Sequence, residues 1–308
     1  MISIHKTLEI NNALKLQPID GIEQGCWINI VAPSDQELIL VSKKTGAPLE
    51  FLRAALDEEE TSRLDFEGNN HLVIVDIPFT EMEDNSLTYD TYPLAIIHTE
   101  KEIITVCLKN SRMLADFIDN KVKSFYTFKR SRFILQILYR IASYYLIYLR
   151  QIDKKLHKSM KNKELIQLLS LEKSLVYFST SLKSNEITLE KMLKLDLLQK
   201  YPEDQDVLED VIIENKQAIE MANIYSNILS GTMDAFASVI SNNLNIVMKL
   251  LASITIVMAI PNIIFSSFGM NVQGIPLANH PNSFWLIYLA AALASVFVIF
   301  ILKKRDLF

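Results

Sequence analysis

The sequence predicts an α+β cytoplasmic domain followed by a long helical stalk and two C-terminal transmembrane helices. Three observations lead there. First, from Ala235 to Leu302 the one formally charged residue is Lys249, whereas the chain before Asp234 has the charge density of a water-soluble protein. Second, the uncharged runs Leu250 to Phe268 and Phe284 to Leu302 each approach the roughly 20 residues a helix needs to cross about 30 Å of hydrocarbon. Third, strand-like runs alternate with helical patterns only as far as about residue 110, beyond which strand signals fade.

Composition bounds the function. The chain has 308 residues, enough for two domains at about 150 residues each. Half of it is hydrophobic and its mean hydropathy is +0.18, high for a wholly soluble protein and low for one that is membrane throughout. A net charge of -5 argues against nucleic-acid binding, which needs a cationic excess to neutralise phosphates. Seven glycines disfavour glycine-loop nucleotide binders and favour long helices. Cys26 and Cys107 have no CxxC spacing and read as buried thiols. The opening residues, Met1 to Asp20, lack a basic segment followed by an apolar core, so no signal peptide is expected.

The N-terminal domain is expected over residues 1–110. Its strand-like runs are Cys26 to Val31, Leu72 to Val75, Leu94 to Ile97 and Ile103 to Val106. A helix should begin after Ser34, with Glu37 three residues on completing a capping box, and end at Gly46. A second helix covers Leu49 to Leu56. Residues 111–249 form the helical and stalk region, with heptad-like patterns over Phe133 to Leu156, Leu165 to Leu182 and Thr188 to Leu198. Arg140 interrupts the apolar stretch Phe133 to Leu149, which reads as a buried amphipathic helix and not as a span. From Pro202 nothing breaks the helical pattern before the first span, and Pro261 would only kink it, so a rod of about 100 Å runs from stalk into bilayer.

The first membrane helix is placed at 250–271, the outer loop at 272–283, the second helix at 284–302 and a basic tail at 303–308. Lys249 precedes the first span; Lys303, Lys304 and Arg305 follow the second; the loop has no Lys or Arg. The positive-inside rule therefore puts both termini in the cytoplasm of a cell-membrane protein, with Trp285 and Tyr288 as anchors at the outer interface.

The first span carries a polar stripe. Asn245, Met248, Ala252, Thr255, Ala259, Asn262, Ser266 and Gly269 recur at intervals of three or four, which places them on one helical face. Ile254, Val257, Ile264 and Phe265 occupy the other. Small residues also serve close helix packing in membranes. Two carboxamides on the stripe point instead toward water, because an amide in hydrocarbon is costly without a partner. One helix cannot enclose a wet path, so a pore requires a symmetric oligomer. The stripe has no ionisable group for a proton relay or voltage sensor.

The first span ends Phe268-Gly269-Met270-Asn271-Val272. A Gly-Met-Asn triplet closing the first of two C-terminal spans resembles the CorA-type magnesium channel family. The upstream residues Ser230-Gly231, Asp234, Ser241-Asn242, Asn245 and Val247-Met248-Lys249 are similar to that family's stalk-to-membrane segment. Trp27 to Ile30 and the stretch from Asp57-Glu58-Glu59 through Asp76-Ile77-Pro78 are similar to its cytoplasmic domain. The resemblance implies a funnel-shaped homopentamer that transports Mg²⁺, with selectivity at Gly269, Met270 and Asn271 and a pore lined by the stripe. It further implies a hydrophobic constriction at Met248 and Leu251, and a cytoplasmic Mg²⁺-sensing carboxylate at Asp210 facing an acidic group of a neighbouring subunit. Glu81, Glu83 and Asp84 are the candidates for that partner. Mg²⁺ is thus expected as both cargo and regulator, with no organic cofactor.

The sequence departs from the family pattern in two places. The loop reads Val272-Gln273-Gly274-Ile275-Pro276-Leu277, without a carboxylate, and Phe268 stands where the family usually has Tyr. Transport of Zn²⁺, Co²⁺ or Ni²⁺ is the sibling reading, although such softer metals usually call for His or Cys and only His280 lies in the membrane region. A non-conducting membrane-anchored scaffold is the alternative of another class. An enzyme is not expected, since no phosphate-cradling loop, HExxH pair or nucleophile elbow is present.

Overall fold

The computed structural model describes residues 1–308 except 11–12, 84–85, 123–124, 163–164, 196–201, 273, 278–279 and 306–308. Its strands are β1 (Ile2–Ile10), β2 (Ala13–Pro18), β3 (Trp27–Val31), β4 (Arg63–Glu67), β5 (Asn70–Glu83), β6 (Ser86–His98) and β7 (Ile103–Cys107). Its helices are α1 (Asp35–Thr45), α2 (Leu49–Ala54), α3 (Arg112–Ile118), α4 (Arg130–Asn162), α5 (Leu165–Lys194), α6 (Pro202–Phe268) and α7 (Ser283–Lys304). The chain divides into two compact units, Met1–Ser230 and Gly231–Phe308.

In the first unit the strands form one sheet in the order β2-β1-β3-β7-β6-β5-β4, antiparallel except for the β3–β7 pair. Strand β3 shows why this sheet is covered on both faces. Ile28 and Ile30 join Leu38, Val41, Phe51 and Leu52 of α1 and α2 in one core. Trp27 points the other way, edge-on to Phe117 of α3 and Phe133 of α4 at 6.4 and 5.3 Å. Both alternating sets are apolar because both meet helices, so the period-2 contrast of a half-exposed strand is absent. The Trp27 indole N–H donates to Thr105 Oγ1 (2.8 Å), whose hydroxyl donates to Asn29 Oδ1 (3.0 Å), so these polar groups are paired in the buried layer.

Local sequence rules account for α1. Ser34 caps it, the capping box with Glu37 is formed, and Gly46 closes it in the left-handed region at φ 73°. The carboxylate of Glu37 is held below its usual range chiefly by the backbone N–H of Ser34. The two sequence patterns Leu165 to Leu182 and Thr188 to Leu198 belong to a single helix, α5, because no breaker stands between them; residues 196–198 lie outside the described set. The stretch around Phe133 to Leu149 is a buried helix, as its charge pattern requires, with Arg140 paired to Asp116 at 2.8 Å.

The β5–β6 hairpin runs past its neighbours. Strand β4 pairs only as far as Arg63↔Ile74, so β5 has an open edge beyond it. There the carboxamide of Asn185 on α5 takes the place of a strand. It accepts from the Asp76 N–H (2.8 Å) and donates to the Asp76 carbonyl (2.8 Å), while Ser62 donates to it and Tyr145 donates to the same carbonyl (3.0 Å).

Helix α6 starts with Pro202 and an acidic first turn, as the helix dipole favours. Within the first unit Asp204, Leu208, Val211, Asn215, Ala218, Ala222 and Leu229 form its buried stripe. Asp204 pairs with Arg132 of α4 (3.3 Å), and Asn215 donates to the Leu182 carbonyl of α5 (3.0 Å).

Candidate ion pathway

The second unit contains the end of α6, the loop after it, and α7. Two helices here are long and apolar enough to cross a membrane, the one ending at Phe268 and Ser283–Lys304. Side-chain shielding on α6 is one-sided. Ser253, Val257, Ile260, Ile264 and Phe268 are buried or half-buried, at helical spacing. Nearby, the Phe265 ring stacks on Tyr288 of α7 with centroids 6.2 Å apart.

The polar stripe falls on the unshielded side. Asn245, Met248, Leu251, Ala252, Thr255, Asn262, Ser266 and Gly269 are all exposed and Ala259 is half-buried. Near the end of the helix the stripe is concave: Ala259, Asn262, Ser266 and Met270 line a hollow of 420 Å³ together with Ile263 and Ser267. The hydroxyls of Thr255 and Ser267 are satisfied within the helix by the carbonyls of Leu251 and Ile263, both at 2.8 Å. The carboxamides of Asn262 and Asn271 make no hydrogen bond among the described residues. A ring of such groups could accept hydrogen bonds from water held by a cation, without stripping the cation of its shell.

Helix α6 ends at Phe268, and the Gly269 N–H still bonds to the carbonyls of Phe265 (2.9 Å) and Ser266 (3.2 Å). Gly269 is not in the left-handed region, so a turn of its own does not require glycine there. Its missing side chain leaves the end of the stripe open, where a Cβ would stand 3.3 Å from the Phe265 carbonyl oxygen. Met270 and Asn271 follow, both exposed.

The cytoplasmic carboxylates are scattered. Asp210 lies exposed on α6, off the buried stripe of that helix. Glu81 near the end of β5 accepts from Lys109 (2.9 Å) and from the Tyr92 hydroxyl (3.5 Å), and the Lys109 ammonium holds its carboxyl below the usual range. The side chain of Glu83 and all of Asp84 lie outside the described residues. No group of three or more His, Cys, Asp or Glu is placed to hold a metal among the described residues. The sequence reading passed over Lys109, Tyr92 and Asn185. The pairing of β6 with β5 and with β7 brings Tyr92 and Lys109 to Glu81, the packing of α5 brings Asn185 to Asp76, and nothing local marks them.

Comparison with known proteins agrees with this arrangement of a mixed sheet, a long helix and a C-terminal apolar pair. The model of the CorA-like Mg²⁺ transporter family matches residues 23–304. The chain belongs to the CorA-like Mg²⁺ transporter family. A cobalt/magnesium transport protein, CorA, of Methanocaldococcus jannaschii is 30% identical over 293 residues, 90% of each chain. The complete structure of the CorA magnesium transporter from the same organism superposes with a TM-score of 0.81 at 25% identity, covering 99% of this chain and 98% of that one. Full-length CmaX shares the fold at TM-score 0.72 and 16% identity, covering 98% of this chain and 96% of its own. This CorA-like chain is accordingly a membrane protein of a divalent-cation transporter family.

Proposed function

We propose that five copies of this chain assemble into a gated channel for Mg²⁺, with α6 of each copy lining the pore and Gly269, Met270 and Asn271 forming its outer selectivity element. The observation that carries the reading is the division of α6 into two faces. Ser253, Val257, Ile260, Ile264 and Phe268 form a shielded row. Opposite it runs the neutral stripe of small and polar residues, flanked by exposed Ile256, Met258 and Ile263, on which the carboxamides of Asn245 and Asn262 make no hydrogen bond among the described residues. Around a symmetry axis that second face becomes a set of neutral rings. Mg²⁺ loses water reluctantly, and amide oxygens from Asn271 would accept hydrogen bonds from its inner-shell waters. Met248 and Leu251, both exposed and apolar, would close the cytoplasmic half by dewetting.

Both termini lie in the cytoplasm in this proposal, as the cations flanking the spans favour. Asp210 faces an acidic group of the adjacent copy, and bound Mg²⁺ relieves their repulsion to hold the closed state. For Glu81 to be that group it must give up Lys109, so Glu83 or Asp84 is the readier partner. The name of the Methanocaldococcus relative includes cobalt, and the loop without carboxylates offers no electrostatic preference, so Co²⁺ is the second cargo to test.

The test is subunit mass and growth rescue together. Purified protein should have the protein mass of five 35.2 kDa chains. Cells starved of magnesium should grow with the wild type and fail with Asn271→Ala at equal expression. A monomer, or full rescue by Asn271→Ala, would contradict the proposal and favour a non-conducting scaffold.

A further inference from the structure

Another cavity lies within the first unit, at the end of the sheet where β3, β5 and β7 begin, and its volume is 710 Å³. Its walls are the segment that carries Gln24 before β3, the end of α1, the β4–β5 turn and the β6–β7 turn, and every residue that lines it is described. The walls are tied to one another. The Gly25 N–H donates to the Lys101 carbonyl (2.7 Å), and the Asn70 carboxamide donates to the Gly46 carbonyl (3.4 Å).

The buried member of the lining is an acid. Glu102 lines the cavity yet is only 5% exposed, and a carboxylate is rarely buried so far without a paired cation. Thr99, itself buried, donates its hydroxyl to Glu102 Oε2 (2.9 Å) and accepts from the Glu102 backbone N–H (2.9 Å), which pins the carboxylate at the turn. The other carboxylate oxygen makes no hydrogen bond, and Glu102 no ion pair, among the described residues. Arg130 donates to the Thr99 carbonyl (2.6 Å) and not to this carboxylate. The exposed lining holds two ammonium groups, Lys44 on α1 and Lys101 on the β6–β7 turn, and one further carboxylate, Glu100. None of these three forms an ion pair among the described residues.

We infer that this cavity binds a free α-amino acid with a polar side chain, its ammonium group on Glu102 and its carboxylate on Lys44 and Lys101. A buried carboxylate without a counter-charge is costly, and an ammonium group donating to its open oxygen offsets that cost with a charge-assisted hydrogen bond. An anion such as phosphate would meet Glu102 and Glu100. A divalent cation or a diamine would meet two ammonium groups. A zwitterion matches both signs. The carboxamides of Gln24 and Asn69 make no hydrogen bond among the described residues and are free to pair with a polar ligand side chain. The volume lies within the roughly 300–1,000 Å³ of small-molecule sites and leaves room for water beside such a ligand.

The probe is L-glutamine, whose carboxamide can pair with those of Gln24 and Asn69. Calorimetric titration of the full chain in detergent, at constant free Mg²⁺, should give saturable binding of one L-glutamine per chain with a Kd below about 1 mM. Glu102→Gln keeps an acceptor for Thr99 but loses the charge, and should weaken L-glutamine at least about tenfold. Lys44→Gln, at an exposed side chain, should weaken it at least about threefold, and it tests the site even where Glu102→Gln fails to fold. Lys43→Gln, at an exposed neighbour outside the lining, should leave it within about twofold. N-acetyl-L-glutamine, which lacks the ammonium group, and putrescine, which lacks the carboxylate, should each bind at least about tenfold more weakly. No saturable binding of L-glutamine, equal affinity for Lys44→Gln and wild type, or putrescine as tight as L-glutamine would each overturn the assignment.

Discussion

Asp76 carries the clearest electrostatic cost in the first unit. Its backbone is pinned by Asn185 and Tyr145, and burial pushes its carboxyl up to about 6, opposed only by a hydrogen bond from Ser181. A carboxyl raised in the folded state binds its proton there while the unfolded chain has already released it. Stability therefore falls as pH rises from about 4 to about 6 and is level above that. Asp76→Asn removes the charge. It should raise the melting temperature at pH 7.5, with a gain of at most about 3 kcal/mol, and the gain should vanish at pH 4. Thermal melts of the two proteins at both pH values test it; an equal shift at pH 4 would contradict it. At Asn271 the expectation is functional. Asn271→Ala should leave the stability within about 0.5 kcal/mol of wild type, because the carboxamide makes no hydrogen bond among the described residues.

At the scale of elements, α6 shows why some of this structure was legible in sequence. Pro202, the absence of breakers and the two charge regimes fix a single helix, and its observed extent, Pro202–Phe268, matches that reading. The polar stripe was visible because small and amide residues recur at helical spacing within an apolar run. Helix α1 was equally legible, since Ser34, Glu37 and Gly46 act through local contacts. Strands β1, β2 and β4 were not read from sequence. In β2 the exposed edge leaves only Leu16 buried, so apolar alternation gives no signal there. The β5–β6 hairpin extends well beyond its apolar centres because α5, not another strand, supports its outer half. Asn185→Ala tests that support. It strips the Asp76 N–H of its partner and should destabilise the protein by about 2–4 kcal/mol, read as a lowered melting temperature with little loss of flux per folded channel. On α6, replacing Leu251 by Asn should wet the proposed constriction and raise Mg²⁺ leak at high internal Mg²⁺, as ion-sensitive dye in vesicles would report.

For the whole molecule, division of labour follows the charge distribution. The α+β unit carries nearly all of the formal charge. The segment from Ala235 to Leu302 has one lysine and the two helices apolar enough to cross a membrane, and α6 runs from one region into the other. In the proposed assembly, neighbouring copies would cover part of what one chain leaves open on that helix. The proposed regulation belongs to this scale as well. Protection from proteolysis by Mg²⁺ should weaken in Asp210→Ala and persist in Glu81→Ala, because Lys109 already holds Glu81. The measurement that reaches furthest is cation uptake by vesicles reconstituted with the purified protein under an inward gradient. The account predicts Mg²⁺ entry with the wild type and none with Asn271→Ala; vesicles that stay closed to Mg²⁺ and Co²⁺ alike, with the protein correctly folded and inserted, would contradict it.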